Sequence, residues 1–449
     1  MGPSVIPTGV VRELPAGEIL FSTTSREGII TGANSAFTAA MRYSLAELVG
    51  EPHSVVRHPD MPGGIYALWW SELLAGRPAS AYMLNLAGDG ASSWAFSVAV
   101  PVATDKFLSV RIEISCAEHH QVLRHAYDVA RASERKMRNG GLSRDEAAAE
   151  SATIINSLLA EAGYGSYRQM ASTVVPQEVA RWHRAPRPPL PAAVMREGHE
   201  IGRVLSATKE IDEELHQIRA SAAKYTQLID SLSAASQQLV DGLEDLVDAV
   251  QSAAHACTEH SDSAPVLVGT SKAAVTIAAT AQEELEALPV GLQGAAADIA
   301  QLSLVEAIGE LHSAAAESFA VEIARGAAGG DAMASLDTLV VALTDTVNGI
   351  DSLWRQVTAS TFDVAARVEA STATLAEFRR MLLNWRNLVV RFRRSHAVAQ
   401  YLSEVDRREA ATRRQMAALL ELAQSAHQLG AAVDVDSMRS AIGKLDARH

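Results

Sequence analysis

Between residues 201 and 250 the chain repeats apolar or small side chains at every third or fourth position without a break. Ile201, Val204, Thr208, Ile211, Leu215, Ile218, Ala222, Tyr225, Ile229, Leu232, Ser236, Leu239, Leu243, Leu246 and Val250 all fall on this stripe. A repeat of about 3.5 residues, held for about seven heptads, keeps one seam of a helix against a partner helix, as a left-handed coiled coil requires. The spacing fits a second copy of the chain and another helix of the same chain equally well. Residues 192–449 contain only two prolines, Pro265 and Pro289, so almost all of this region reads as helix. Helical segments are expected at 273–288, 293–327, 334–397 and 399–430, with a loop at 258–272 and a helix stop at Gly326–Gly330.

The first 116 residues differ: they hold 10 of the 22 aromatics, 11 of the 28 glycines and 8 of the 15 prolines, the profile of strands joined by tight turns. Trp94–Val100 alternates large and small residues, and Leu108, Val110, Ile112 and Ile114 alternate in the same way, the period of a half-buried strand. Ile19–Ser22 and Gly28–Thr31 read as a short hairpin, and Ser44–Val49 and Gly64–Ala75 as helices. The order β-β-α-α-β-β-β predicts an α+β domain, an antiparallel sheet with short helices on one face. It is followed by a mostly α-helical coiled-coil or bundle region. The expected division is the α+β domain at 10–116, a helical connector at 117–184, a Pro-rich linker at 185–191, a long coiled-coil helix at 192–257 and a helical region at 273–449. Ser143 and Glu146 after Asn139-Gly140-Gly141 fit a capping box opening a connector helix.

Charge and motifs narrow the function. A net charge of −14 argues against a nucleic-acid binder working by bulk electrostatics. Cys116 and Cys257 stand far apart with no metal-ligand spacing, so no metal site is expected. The start lacks the pattern of a secretory signal, and no uninterrupted apolar run reaches the ~18 residues of a membrane span, so a cytoplasmic location is expected. Neither a P-loop nor a GxGxxG fingerprint occurs, and the chain does not read as an enzyme. The arginines of Phe378–Arg394 fit a solvated helix face pairing with acidic neighbours.

One string is specific. Ala33-Asn34-Ser35-Ala36-Phe37, Tyr43, Glu47-Leu48, Gly50, Pro52-His53 and Arg57-His58-Pro59-Asp60-Met61-Pro62 occur in order, followed by Trp69, Leu73, Gly76, Pro78, Asn85, Gly88-Asp89-Gly90, Trp94 and Pro101. Residues 10–116 thereby resemble the PAS sensor domain of bacterial aerotaxis receptors and related chemoreceptors. The resemblance implies a non-covalently bound FAD in the PAS cavity, with Asn34, Arg57, His58, Asp60 and Asn85 as the flavin-contacting positions. The chain departs from the pattern at Ala79-Ser80-Ala81, where the family usually places a Trp, and at Leu84-Asn85, where Lys-Asn is usual.

The resemblance also implies redox or oxygen sensing, relayed through a helical coiled coil to a chemotaxis kinase or its coupling protein, and a homodimer. The kinase-docking hairpin tip of chemoreceptors is not recognisable; Ser303–Arg325 retains only a Phe-Ala-Val fragment of it. The alternative is a scaffold protein whose PAS domain is a cofactor-free docking and dimerisation module.

Overall fold

The computed structural model describes residues 5–103, 105–184, 200–258, 264–329, 332–392, 398–429 and 435–446. The first elements are β1 (Leu20–Ser25), β2 (Ile30–Ala33), α1 (Ser35–Met41), α2 (Leu45–Leu48), a 3-10 turn (His53–Val56) and α3 (Gly63–Leu74). Three longer strands follow: β3 (Ala79–Leu86), β4 (Ser92–Val102) and β5 (Lys106–Ile112). They form one antiparallel sheet in the order β2-β1-β5-β4-β3. This is the α+β domain read from the sequence, an antiparallel sheet with flanking short helices, with α1 and the 3-10 turn as additional elements.

Register fixes the two faces. Arg111 lies opposite Leu20 and Ser97, and Ser109 opposite Ser22 and Ala99. Alternate residues of a strand point to opposite sides, so these residues share an inner face with Met83 and Asn85. Phe21, Tyr82, Phe96, Val98 and Val110 share the outer face. At one end the inner face is filled by an apolar cluster of Leu20, Ile30, Phe37, Met41, Leu48, Val56 and Ala95.

Three connector helices come next: α4 (Ala117–Asn139), α5 (Arg144–Glu161) and α6 (Tyr167–Trp182). The capping box at α5 is present, with Ser143 Oγ accepting from Glu146 N (3.2 Å) and Glu146 accepting from Ser143 N (2.8 Å). Against the outer face, the His120 ring of α4 packs tilted on Tyr82 and edge to face on Trp94, at 5.2 and 4.8 Å between ring centroids. Helices α3 and α5 touch backbone to backbone: a Cβ on Gly64 would lie 2.4 Å from Ala152 N and 2.5 Å from the Ser151 carbonyl carbon. Neither atom can retreat without moving α5. Gly64→Ala is therefore expected to destabilise the protein by about 1–3 kcal/mol. An unchanged denaturation midpoint would refute this packing.

The remaining helices are α7 (Glu200–Thr258), α8 (Ala264–Glu286), α9 (Leu288–Ala324), α10 (Ala332–Arg391), α11 (Ala399–Leu429) and α12 (Val435–Asp446). The chain forms two compact units, one of Met1–Arg219, Ala300–Ser352 and Val433–His449, the other of Ala220–Ile299 and Leu353–Ala432. Within the first unit, Ile211, Leu215 and Ile218 of α7 are fully buried, and Ser313 of α9 donates to the Thr208 carbonyl (3.2 Å). Within the second, Tyr225 meets Trp354 of α10 (5.7 Å), Thr412 of α11 donates to the Gly242 carbonyl (3.2 Å), and Gln282 of α8 donates to Glu244 (3.1 Å).

Every stripe residue except Ile201 is buried by the chain's own helices. Of the two partners that fit the heptads, the structure takes the intrachain bundle. The seam thus offers no unfilled face for a second copy, and the homodimer expectation loses the heptads as support.

Several expectations are corrected or confirmed. The loop at 258–272 is wrong in its second half, since α8 begins at Ala264 with Pro265 in its first turn; a missing N–H costs nothing there. Helix α9 opens in the same way, with Pro289 next to its first residue. The stop after α9 is present, with Gly326 at φ +69°, while Gly330 lies outside the described residues. The Pro-rich linker 185–191 also lies outside them. Arg379 pairs with Glu409, Arg380 with Glu377 and Arg386 with Asp406, so this part of the basic run faces acidic partners as expected. Within Pro265–Ala324 one stretch is long and apolar enough to cross a membrane by length and composition alone. The same region buries the charged or polar side chains of Glu306, Glu310 and His312.

Candidate functional site

Strand β5 alternates Leu108, Val110 and Ile112 outward with Phe107, Ser109 and Arg111 inward. The inward set, with Ser97 of β4 and Met83 and Asn85 of β3, floors a cavity of about 470 Å³. Its roof is the 3-10 turn and α3, which supply His53, Arg57, Tyr66, Trp69 and Trp70. The volume lies within the roughly 300–1,000 Å³ of small-molecule sites. Trp70 and Phe107 meet edge to face at 5.5 Å and give the cavity an aromatic wall. Gly28 turns the β1–β2 hairpin at φ +78° and lets its backbone approach Trp70.

The polar content of the cavity is concentrated on one buried cation. Arg111 is 3% exposed. It donates through Nη1 to Ser22 Oγ (3.1 Å) and through Nη2 to His53 Nε2 (2.7 Å), and its guanidinium lies 5.0 Å from the Phe37 ring centre. Its Nε has no partner, and among the described residues no carboxylate pairs with it. Burial lowers its pKa to about 10, so it stays charged at neutral pH. The buried hydroxyls of Ser97 and Ser109 likewise have no partner. Buried polar groups in a folded protein are normally satisfied, and an isolated buried charge is costly. This face can accept a polar or anionic group.

His53 answers the cation by staying neutral. Burial, then the charge of Arg111, pushes its pKa down to about 3. It therefore accepts at Nε2 and carries its proton on Nδ1. A depressed histidine pKa contributes stability that is complete above the ordinary value of about 6.5 and is lost as pH falls toward 3. Acid unfolding of the wild type is expected to show this loss, on the order of 3–5 kcal/mol across that window. His53→Gln should flatten the slope, and an identical slope in the variant would show that His53 titrates freely in the folded protein.

Two of the five residues singled out from the sequence line the cavity. Arg57 stacks on the Tyr66 ring at 3.7 Å, with burial lowering its pKa, and a backbone bridge joins it to Asn85. Asn85 is 4% exposed, and its amide makes one long bond, to the Met83 carbonyl (3.4 Å). The other three are placed elsewhere. The Asn34 carbonyl oxygen accepts from Phe21 N and Phe37 N, and its amide donates to the Ile19 carbonyl, so the side chain is consumed in capping α1 onto β1. His58 is buried and accepts from Asp60 N at Nδ1 (3.1 Å). Asp60 points outward to Arg135 of α4 (2.8 Å).

Sequence reasoning missed Arg111, Ser97, Ser109 and His53 as a group. The available signal was an arginine at an inward position of an alternating apolar strand. A second hollow of about 450 Å³ shares Ser54, Arg57, Gly63 and Arg144 with the first and adds Arg131 and Arg138. Glu134 lies there too, accepting from Gly64 N (3.0 Å) and pairing with Arg131 (3.2 Å). Four arginines against one carboxylate give this mouth a net positive charge.

The exit from the sheet is held by one carboxylate. Glu178 of α6 is fully buried and accepts from Tyr82 OH (2.6 Å), Ser115 N (2.8 Å) and Cys116 N (3.0 Å). Burial raises its pKa, and the three donors pull it back down. β3, the end of β5 and the start of α4 are thus tied to α6 at one point.

No family model matches the chain. The aerotaxis receptor of Escherichia coli is 40% identical over 90 residues, covering 20% of this chain and 18% of the receptor. The chain thus spans less than a fifth of the length of this curated relative. Among solved structures, a PAS domain from Colwellia psychrerythraea is 21% identical, with 21% of this chain and 86% of that one covered and a TM-score of 0.19. The LOV protein of Rhodobacter sphaeroides is 15% identical, with 32% and 89% covered and a TM-score of 0.22. The N-terminal region, an antiparallel five-stranded sheet with flanking helices, resembles PAS domains and is similar in sequence to the aerotaxis receptor over those 90 residues.

Proposed function

We propose that this chain is a signal-transduction sensor, not an enzyme, whose PAS cavity holds a flavin and passes its state through the exit strand to the helical region. The observation that carries the reading is Arg111: a buried guanidinium without a carboxylate partner, beside unpartnered Ser97 and Ser109 hydroxyls, facing an aromatic-walled cavity. The residues fit the group. Trp69, Trp70, Tyr66 and Phe107 exclude water from a flat ring, and Asn85, Ser97 and Ser109 offer hydrogen bonds to its polar edge. The adjoining Arg57, Arg131, Arg138 and Arg144 suit the phosphates of a dinucleotide, which favours FAD. A bound flavin supplies a ring whose charge and protonation change on reduction.

Arg111 sits where such a change would be felt most, because a buried cation favours negative charge beside it. It lies on β5, and β5 runs directly to the Ser115–Cys116 backbone that Glu178 holds. A shift of the strand would reach α4 and α6 through the four-residue segment 113–116, whose last two amides Glu178 holds. A switch of this kind needs only a few kcal/mol of differential binding between two states. A cytoplasmic location, a homodimer and a chemotaxis kinase or coupling protein as the receiving partner belong to the same reading, and rest on the similarity to the aerotaxis receptor.

The test is the visible absorption spectrum of the protein purified without added cofactor. Paired blue and near-ultraviolet bands, with FAD released on denaturation, are the expected result. A colourless protein, unchanged by incubation with FAD, would overturn the flavin reading and leave a cofactor-free docking module.

A further inference from the structure

We propose a transition-metal site, separate from the PAS cavity, formed by His183, His216 and Glu310. His183 follows α6, His216 lies on α7 and Glu310 on α9, all within the first unit. One ligand atom from each lies within 4.8 Å of the others. His183 Nδ1 stands 3.7 Å from Glu310 Oε2, and the two imidazoles are 5.1 Å apart between centroids. Ligands around a tetrahedral zinc ion, at bonds of about 2.0–2.1 Å, sit about 3.3 Å from one another. Small side-chain rotations therefore close the set.

Three observations point to a cation rather than to ordinary pairing. Glu310 is 0% exposed and its Oε1 has no hydrogen-bond partner. Glu306, one turn earlier on α9, is 2% exposed, and its Oε1 also lacks a hydrogen bond. Arg219 reaches both side chains, so one guanidinium serves two buried carboxyl groups. A divalent ion at Glu310 would leave Arg219 to Glu306.

His216 Nδ1 stands 3.9 Å from Glu310 Oε1 and also donates to the Asp212 carbonyl (2.7 Å), so ligation requires the ring to turn and offer one nitrogen to the ion while the other keeps a backbone partner. Two imidazoles and one carboxylate suit zinc, cobalt or nickel better than calcium or magnesium, which prefer all-oxygen sets. The site would pin the C-terminal end of α6 to α7 and α9.

The test is titration of the chelator-treated full chain with Co²⁺, followed by visible d–d absorption and by metal content after gel filtration. One Co²⁺ per chain with a d–d band, displaced by Zn²⁺, is expected. His216→Ala, at a half-exposed position that should not perturb folding, and His183→Ala should each weaken binding at least 10-fold while circular dichroism is unchanged. No stoichiometric Co²⁺, or binding unaffected by both histidine variants, would overturn the assignment. Flavin content is measured on the same samples, so loss of one site is distinguishable from loss of the other.

Discussion

Arg111→Met is expected to make the cofactor-free protein more stable while weakening flavin binding about 10–100-fold, the equivalent of one charge-assisted hydrogen bond of about 1.5–3 kcal/mol. The two effects have opposite signs for one reason. Without a carboxylate partner, the buried guanidinium of Arg111 carries a desolvation cost of several kcal/mol that its bonds to Ser22 and His53 offset only in part. Methionine fills similar space without the charge, and a net gain of about 1–3 kcal/mol is anticipated. His53, released from the neighbouring charge, should also titrate closer to its ordinary range. Thermal denaturation of the apo-protein and equilibrium binding of FAD measure the two quantities independently. A variant that loses stability and binds FAD as before would make Arg111 a structural residue and remove the main support for the cofactor reading.

The second large effect concerns the exit clamp. Glu178→Ala leaves Tyr82 OH and the amides of Ser115 and Cys116 without an acceptor in a buried place, and should cost about 3–5 kcal/mol. Glu178→Gln is the milder probe, since an amide keeps the volume and one acceptor oxygen. In the wild type, amide exchange across α4 and α6 is expected to differ between oxidised and reduced protein. In Glu178→Gln that difference should shrink severalfold although flavin binding persists. Equal differences in both proteins would show that the signal leaves the sheet by another route.

The PAS motif residues illustrate how far a linear pattern reaches. The string from Asn34 to Pro62 located the domain, and the alternation placed its long strands, although α1 and the 3-10 turn were not read and β5 ends at Ile112, before the last alternating residue, Ile114. The same string was a poor guide to the cavity. Asn34 and His58 hold the backbone of the α1 cap and of the turn before α3 and Asp60 faces Arg135 outside, whereas Arg57 and Asn85 turn inward. A motif records which residues a fold needs, and some are needed for the turn and others for the ligand.

Arg111 was hidden for the opposite reason. Its strand was recognised from its apolar outward face, and the inward face, Phe107-x-Ser109-x-Arg111, has no apolar period to draw attention. Its meaning depends on β1 and β4 bringing Ser22 and Ser97 alongside, which is a matter of register between distant segments. Glu178, Glu310 and His216 are of the same kind, since an isolated polar residue on a helix signals nothing until its neighbours are known.

Local physics in the sequence determined that residues 201–250 are a helix with one apolar seam, that the N-terminal region is an antiparallel α+β domain, and that Ser143 starts a helix. Each of these follows from spacing within a few turns or one strand. The tertiary structure alone decided that the seam is closed by helices of the same chain, because heptads specify a partner surface and not whose surface it is. It alone decided that an arginine, two serines and a histidine far apart in sequence meet at one cavity, because only strand pairing and helix packing set distances across the chain.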